Sequence, residues 1–349
     1  MSAKPPPVAQ RRPYRHSYHG VDLDDPYFWL QDPGYPQVED TDVLAYLDEE
    51  NAYFESWYEP HQGLTQTLFE ELKGRKPEQD ESVPYEKNGY RYQWRFNAGD
   101  QYRVWLRQSA TDESEQWATL LNENTLAEGC EYFRLGALAV SPDGTMLAFS
   151  TDTNGSERFT LKVIEIASGE VLTTAIENCA GSVIWNADSH GFAYRLVNEN
   201  WRPDKALYRE LTSGEDTLLY QEKDDSFFVG LGLSQSEQLM FISSGDHVTS
   251  EVRFVPRDNL RAEQTLIATR REGHEYDVEH QGDDAKTGRL IIRSNRNHPN
   301  FDLFETPVAT PEEVHWQILL PGDESHYLMG HVAFADALIV CLRINGLDQ

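Results

Sequence analysis

From about residue 83 to the C-terminus one local grammar repeats: a short β-rich run, a tight turn, a second run, another turn, a third run. Leu138-Ala-Val-Ser-Pro-Asp-Gly-Thr-Met-Leu-Ala-Phe149 shows it in full, and Thr160-Leu-Lys-Val-Ile-Glu-Ile166 supplies the next strand before the turn Ser168-Gly-Glu170. The next unit places Val183-Ile-Trp185, the turn Asn186-Ala-Asp-Ser-His-Gly191, Phe192-Ala-Tyr-Arg195 and Ala206-Leu-Tyr-Arg209 in the same order. Phe228–Val255 and Tyr276–Leu320 repeat it twice more. Residues that alternate apolar and polar with period two pack one face of a strand. Antiparallel strands recurring every 40 to 50 residues are how a β-propeller blade is written, because each such unit must bury its faces on its neighbours. The fold class expected is therefore all-β: a β-propeller over residues 83–349.

The first 82 residues follow other rules. Pro5-Pro6-Pro7, Pro13, Pro26, Pro33 and Pro36 block regular helix, so residues 1 to about 40 read as an irregular lead. Tyr27-Phe28-Trp29 is too aromatic for a loose tail and reads as an anchor in an apolar groove. A helix then starts with Thr41 or Asp42 as cap and carries Val43, Leu47, Phe54 and Tyr58 on one face until Pro60. A second spans about Leu64 to Lys73, with Leu64, Leu68 and Leu72 in line and Gly74 as its stop. Both faces are expected to pack into a core.

Composition narrows the function classes. The 30 Lys and Arg face 59 Asp and Glu, a formal charge of −29, which excludes nucleic-acid binding through a basic patch. Eight of the cations are Lys, at positions from Lys4 to Lys286. The acidity reads as a solvated surface, with attraction of cationic peptides as the sharper alternative. Cys130, Cys179 and Cys341 are too few and too irregularly spaced for a disulfide framework or a zinc site, and fit free thiols in a reducing cytoplasm. The polar N-terminus carries no secretory h-region, and the apolar runs are strand-sized, too short for a membrane span.

No chemistry-bearing motif emerges. Gly-x-Ser-x-Gly is missing; Asn154-Gly-Ser-Glu157 and Ala180-Gly-Ser-Val183 place Gly directly before Ser, and neither precedes a helix. His16 and His19 make too small a ligand set for zinc, and His274, His280, His326 and His331 read as ordinary loop or strand residues. The acid pairs Asp24-Asp25, Glu70-Glu71, Asp80-Glu81, Asp224-Asp225 and Asp283-Asp284 read as turn formers, or else as a rim of the propeller channel. Gly230-Leu-Gly232 lies within a strand and is no phosphate loop. Catalytic, cofactor and metal residues are therefore assigned to none, and the substrate-binding residues are left unknown.

The ordered motifs resemble the N-terminal half of the prolyl oligopeptidase family, most closely its oligopeptidase B branch. They are Asp24-Asp-Pro-Tyr-Phe-Trp-Leu-Gln-Asp32, Tyr46-Leu-Asp-Glu-Glu-Asn-Ala-Tyr53, Glu71-Leu-Lys-Gly-Arg-Lys76 and Asp80-Glu-Ser-Val-Pro84. Leu121-Asn-Glu-Asn-Thr-Leu-Ala127, Val140-Ser-Pro-Asp-Gly144, Tyr220-Gln-Glu-Lys-Asp-Asp-Ser-Phe-Phe228, Ser294-Asn-Arg-Asn-His-Pro-Asn-Phe301 and Arg343-Ile-Asn-Gly-Leu347 continue the series. The resemblance implies a propeller of the seven-bladed type, of which this chain would hold about five and a half blades, that restricts access to an α/β-hydrolase domain. That domain would hold a Ser-Asp-His triad, and cleavage would fall after Arg or Lys. The hydrolase domain is expected to be absent from this chain, residues 1–82 to be the segment that packs on it, and the chain alone to be inactive. The alternatives are a split enzyme completed by a separate hydrolase chain, and a non-catalytic propeller binding module. Short basic peptides, a separate hydrolase domain or self-association through an open blade are the partners implied.

Overall fold

Prolines and period-two runs divide the molecule as they divide the sequence. The computed structural model describes residues 5–35, 37–112, 114 and 116–349; Pro36 and the Met1-Ser-Ala-Lys4 stretch lie outside the described residues. Two compact units result, Met1–Glu78 and Gln79–Gln349. The division falls a few residues before the expected one, because Asp80–Glu81 already pairs with the strand Tyr90–Phe96.

The first unit is less irregular than its prolines suggest. Arg15–Tyr18 and Val21–Asp24 form a hairpin between Pro13 and Pro26, turning through His19 and Gly20 at positive φ. Four-residue extended runs fit between prolines where a helix does not. Phe28 stacks on Tyr14 at 3.8 Å, and the Trp29 indole donates to the Gln10 carbonyl at 2.7 Å beneath the Arg12 guanidinium. The aromatic anchor thus holds the segment to itself.

Helix α1 runs Thr41–Tyr58 and is capped one residue earlier than expected: the Asp40 carboxylate accepts from the backbone N–H of Asp42 and Val43. A 3-10 turn through Pro60 leads into α2, Gln62–Gly74. The expected core packing of these helices is not what the unit shows. Val43 is the single buried residue of α1, and α2 buries none. Leu47, Phe54, Trp57, Leu64, Leu68, Phe69 and Leu72 are exposed. A periodic apolar face states that something should cover it, not what.

The second unit is built from antiparallel sheets, one of five strands, one of seven, two of four and one of three. Blade I sets Tyr90–Phe96 between Tyr85–Lys87 and Val104–Ser109, with Ala118–Asn122 outermost. The seven-stranded sheet is two blades fused through one long strand, Ile176–Trp185. Its first half pairs outward in blade II (Phe159↔Cys179, Leu161↔Ile176), and its second half opens blade III (Val183↔Tyr194, Trp185↔Phe192). The register shifts between Cys179 and Val183, where Gly181 has φ 72°. There a side chain at Gly181 would press on the Phe159 ring at 3.3 Å. Blade IV contains Phe228–Leu233, Leu239–Gly245, Ser250–Pro256 and Thr265–Leu266. Blade V contains Tyr276–Gln281, Arg289–Ser294, Asp302–Pro307 and Gln317–Leu320. Blade VI contains His326–Ala333, Leu338–Ile344 and Leu347–Asp348.

The core is a series of seams between blades. Tyr92, Leu121, Leu147 and Phe149 join blades I and II, and Leu161, Val163, Trp185 and Phe192 join II and III. Ala206, Val229, Met240 and Ile242 join III and IV. Leu239, Phe254, Leu290 and Trp316 join IV and V, and Ile291, Leu303 and Leu328 join V and VI. An inner sheet buries both faces because a neighbour stands on either side; blade VI, packed on blade V, leaves alternate residues of Leu338–Ile344 exposed.

Candidate functional site

The turns between the first and second strands of each blade gather at one end of the blades. Ser141–Met146 is the clearest: the Ser141 hydroxyl donates to Asp143, whose carboxylate accepts from the Thr145 N–H and hydroxyl. Ser234–Leu239 repeats this geometry in blade IV, with the Ser234 N–H donating to the Leu239 carbonyl and the Glu237 N–H to the Ser234 carbonyl. Asn186–Gly191 does so in blade III.

At this end lies the charged cluster that carries the site. Glu237 is paired at once with Arg257 (Oε2 to Nη1, 2.6 Å) and with Lys87 through Oε1. Lys87 ends the strand Tyr85–Lys87 of blade I, Glu237 sits in the blade IV turn, and Arg257 leaves the third strand of blade IV. Arg257 also donates from Nε to the Trp185 carbonyl at 3.3 Å, so blade III is held too. Burial pushes the Glu237 carboxyl up, but Lys87 and Arg257 outweigh it and hold it below the ordinary carboxylate range.

Two cavities meet at this cluster. The outer, of about 580 Å³, is lined by Ser236, Glu237, Arg257, Asp258, Asp284 and Lys286. The inner, of about 210 Å³, is walled by Tyr85, Tyr92, Trp105, Leu138, Val140 and Leu233, with Lys87 and Arg257 as its cations. Arg257 lines both. Asp284 is a turn former, accepting from the Lys286 N–H and the Thr287 hydroxyl, and it also lines the outer cavity.

Other polar groups are seam locks. His280 is fully buried, accepting from or donating to the Ser236 hydroxyl at 2.7 Å through Nδ1, with Nε2 3.1 Å from the Thr287 carbonyl. The carbonyl only accepts, so the proton sits on Nε2 and Nδ1 takes the Ser236 hydroxyl proton. The ring bridges the Ser236 hydroxyl of the blade IV turn and the Thr287 carbonyl of blade V, so this Ser–His pair ties the two blades together. His274 is likewise buried, 2.8 Å from the Ser294 hydroxyl, and burial lowers its pKa. His280 lies in the strand Tyr276–Gln281 and His274 in the loop before it, as the sequence suggests, and both are buried in seams.

The motif Tyr220–Phe228 forms a buried ion network. Glu222 accepts from Arg270 at 2.5 Å and from the Ser244 hydroxyl, while Arg270 lies 3.8 Å over the Phe227 ring. The Arg270 N–H reaches Glu251, which Arg253 pairs at 2.6 Å. Burial raises the Glu222 pKa, and Arg270, Ser244 and the backbone N–H groups of Asp224 and Lys223 outweigh it, bringing it down to about 2.

Cys130, Cys179 and Cys341 are free, and burial pushes the Cys179 thiol up to about 12, away from reactivity. Among the described residues no group of His, Cys, Asp or Glu has metal-binding geometry, and no helix is long and apolar enough to cross a membrane.

Comparison with known proteins follows the same outline. The model of the prolyl oligopeptidase N-terminal β-propeller domain matches residues 6–349. Protease 2 of Moraxella lacunata is 30% identical over 98% of this chain and 49% of its own length. Dipeptidyl aminopeptidase BI of Pseudoxanthomonas mexicana is 30% identical over 100% of this chain and 49% of its own length. Among solved structures, oligopeptidase B from Trypanosoma brucei, in a closed form with covalently bound antipain, superposes with a TM-score of 0.87 at 26% identity, over 99% of this chain and 50% of that one. Oligopeptidase B from Leishmania major shares the fold with a TM-score of 0.89 at 23% identity, over 99% of this chain and 50% of that one. The chain spans about half the length of the curated relatives it matches, and it belongs to the prolyl oligopeptidase family as its N-terminal β-propeller domain.

Proposed function

We propose that this chain is the substrate-gating propeller part of an oligopeptidase B-like serine endopeptidase that cleaves peptides after Arg or Lys. The catalytic Ser-Asp-His set belongs to a hydrolase domain outside these residues, and the chain alone hydrolyses nothing. The observation that carries the reading is the match along essentially all of this chain to half of each peptidase relative. The exposed apolar faces of α1 and α2 support it, since Leu47, Phe54, Trp57, Leu64, Leu68 and Leu72 form the kind of surface that a hydrolase domain covers. The charge of −29 supports a preference for cationic peptides, drawn in by a field that salt weakens. Free cysteines support a reducing, cytoplasmic setting.

The test is direct. The purified chain is incubated with an Arg-linked chromogenic peptide, alone and with a separately produced hydrolase half from a family relative. No turnover alone and serine-inhibitor-sensitive turnover after mixing is the expected pair of results. Turnover by the chain alone would overturn the reading. The same exposed helix faces favour a split enzyme as the second reading, which co-purification of a natural hydrolase chain would establish.

A further inference from the structure

The Ser141–Met146 and Ser234–Leu239 turns superpose residue for residue in their hydrogen bonds, which places Glu237 where the first turn has Gly144. Both residues have positive φ, 74° for Gly144 and 58° for Glu237. Glycine occupies that conformation freely; a glutamate does so under backbone strain. Gly144 also has no room for a side chain, since a Cβ there would lie 2.8 Å from the Tyr90 ring. In blade IV the position carries instead a long acidic side chain, and it spans from Lys87 to Arg257. Ser189 holds the same place in the blade III turn at φ 65°, so the conformation belongs to the turn; what sets Glu237 apart is a charged side chain at a cluster between two cavities.

Two cations converge on one carboxylate. The Arg257 side chain is only 13% exposed and fixed by the Trp185 carbonyl, whereas Lys87 is 45% exposed and mobile on its stem. With Glu237 between them Lys87 and Arg257 retain one positive charge, and the wider lining of the outer cavity adds Lys286 against Asp258 and Asp284. Behind the cations lies the apolar inner cavity of Tyr85, Trp105, Leu138 and Leu233; in front lies the outer cavity. A paired cation site backed by an apolar pocket is the complement of a peptide C-terminus, a carboxylate beside an aliphatic side chain. We propose that Lys87 and Arg257 form a binding site for the free C-terminal carboxylate of a peptide, and that Glu237 is the internal carboxylate which holds the site shut until the peptide displaces it. That the ligand is a peptide rests on the proposed function; that it is a carboxylate rests on the cluster alone.

The test uses the full chain and calorimetric titration with N-acetyl-leucyl-leucine as free acid and as amide. The acid is expected to bind about tenfold more tightly, the worth of one charge-assisted pair. Glu237→Gly, which removes the competitor and relieves the backbone at once, is expected to tighten the acid by a further factor of about three to ten without moving the amide. Lys87→Gln removes a partly exposed cation with little risk to folding and is expected to erase most of the preference. Equal binding of acid and amide, or an acid affinity that Glu237→Gly leaves unchanged, would overturn the proposal. N-acetyl-leucine separates the two readings: if it shows the acid preference and peptides do not bind, the carboxylate site stands and the peptide reading falls.

Discussion

The two units handle their apolar residues in opposite ways. In Gln79–Gln349 every seam is lined by side chains with essentially no exposure, such as Leu147, Met240, Leu290 and Leu328. In Met1–Glu78 the helices carry comparable apolar stripes, yet only Val43 is buried. Strands of a propeller find their cover within the same repeat array, because each blade is its neighbour's core. Two helices and a hairpin have too little mutual surface to cover one another. Apolar periodicity thus has the same appearance in both regions and a different outcome: buried seams in one, an exposed face in the other.

The largest effect that sharpens this contrast is a cavity in a seam. Leu290 lies fully buried between blades IV and V with Leu239, Phe254 and Trp316. Leu290→Ala is expected to lower the unfolding free energy by about 3 kcal/mol, through lost burial plus the void left behind. Urea titration followed by tryptophan fluorescence measures it. A loss below about 1 kcal/mol would mean that the seams do not carry the fold.

Next in size is the ion network of Glu222. Its folded-state pKa of about 2 lies below its ordinary value of 4.5, so it stabilises the fold fully above pH 5. That contribution fades as pH falls from about 4.5 towards 2, because the unfolded chain takes up the proton first. Glu222→Gln is expected to cost about 2 kcal/mol at pH 7 and to flatten the acid limb of the stability curve. An unchanged pH dependence in the variant would show that Glu222 does not stabilise blade IV.

Sequence reading recovered what local chemistry dictates. Tyr90–Phe96 alternates strictly and is a strand with those bounds, and the Ser141–Gly144 turn sits where its Pro, Asp and Gly place it. Ile176–Trp185 was harder to read, since Asn178 and Gly181, both at positive φ, break its alternation where the strand passes from one blade to the next. Thr265–Leu266 is too short to leave a periodic trace. The candidate site is legible only in retrospect. Lys87 and Glu237 are far apart in the chain, and the one local hint is an acidic residue in a turn position that a sister repeat gives to glycine.

The start of α1 offers a smaller effect confined to the first unit. Asp40 caps the helix through two backbone N–H groups. Asp40→Ala is expected to cost about 1 kcal/mol of helix stability, seen as lost helical circular dichroism before the main urea transition. The propeller transition should stay where it is, because Asp40 belongs to the first unit. A shift of both transitions together would break the comparison by showing that the two units unfold as one.

The smallest expected effect discriminates most. Leu68 is 48% exposed on α2, a helix with no buried residue. Leu68→Glu is therefore expected to change stability by less than about 0.5 kcal/mol, as for a surface position free of packing. The same charge placed in an interface would leave a carboxylate desolvated and unpaired. In the mixing assay with a hydrolase half, the variant should accordingly fail to restore turnover while folding normally. If stability falls sharply, the apolar stripe is a core after all. If stability and complementation are both unchanged, the stripe of α2 is not the seat of the hydrolase, and the apolar surface of α1 around Phe54 and Trp57 becomes the one to mutate.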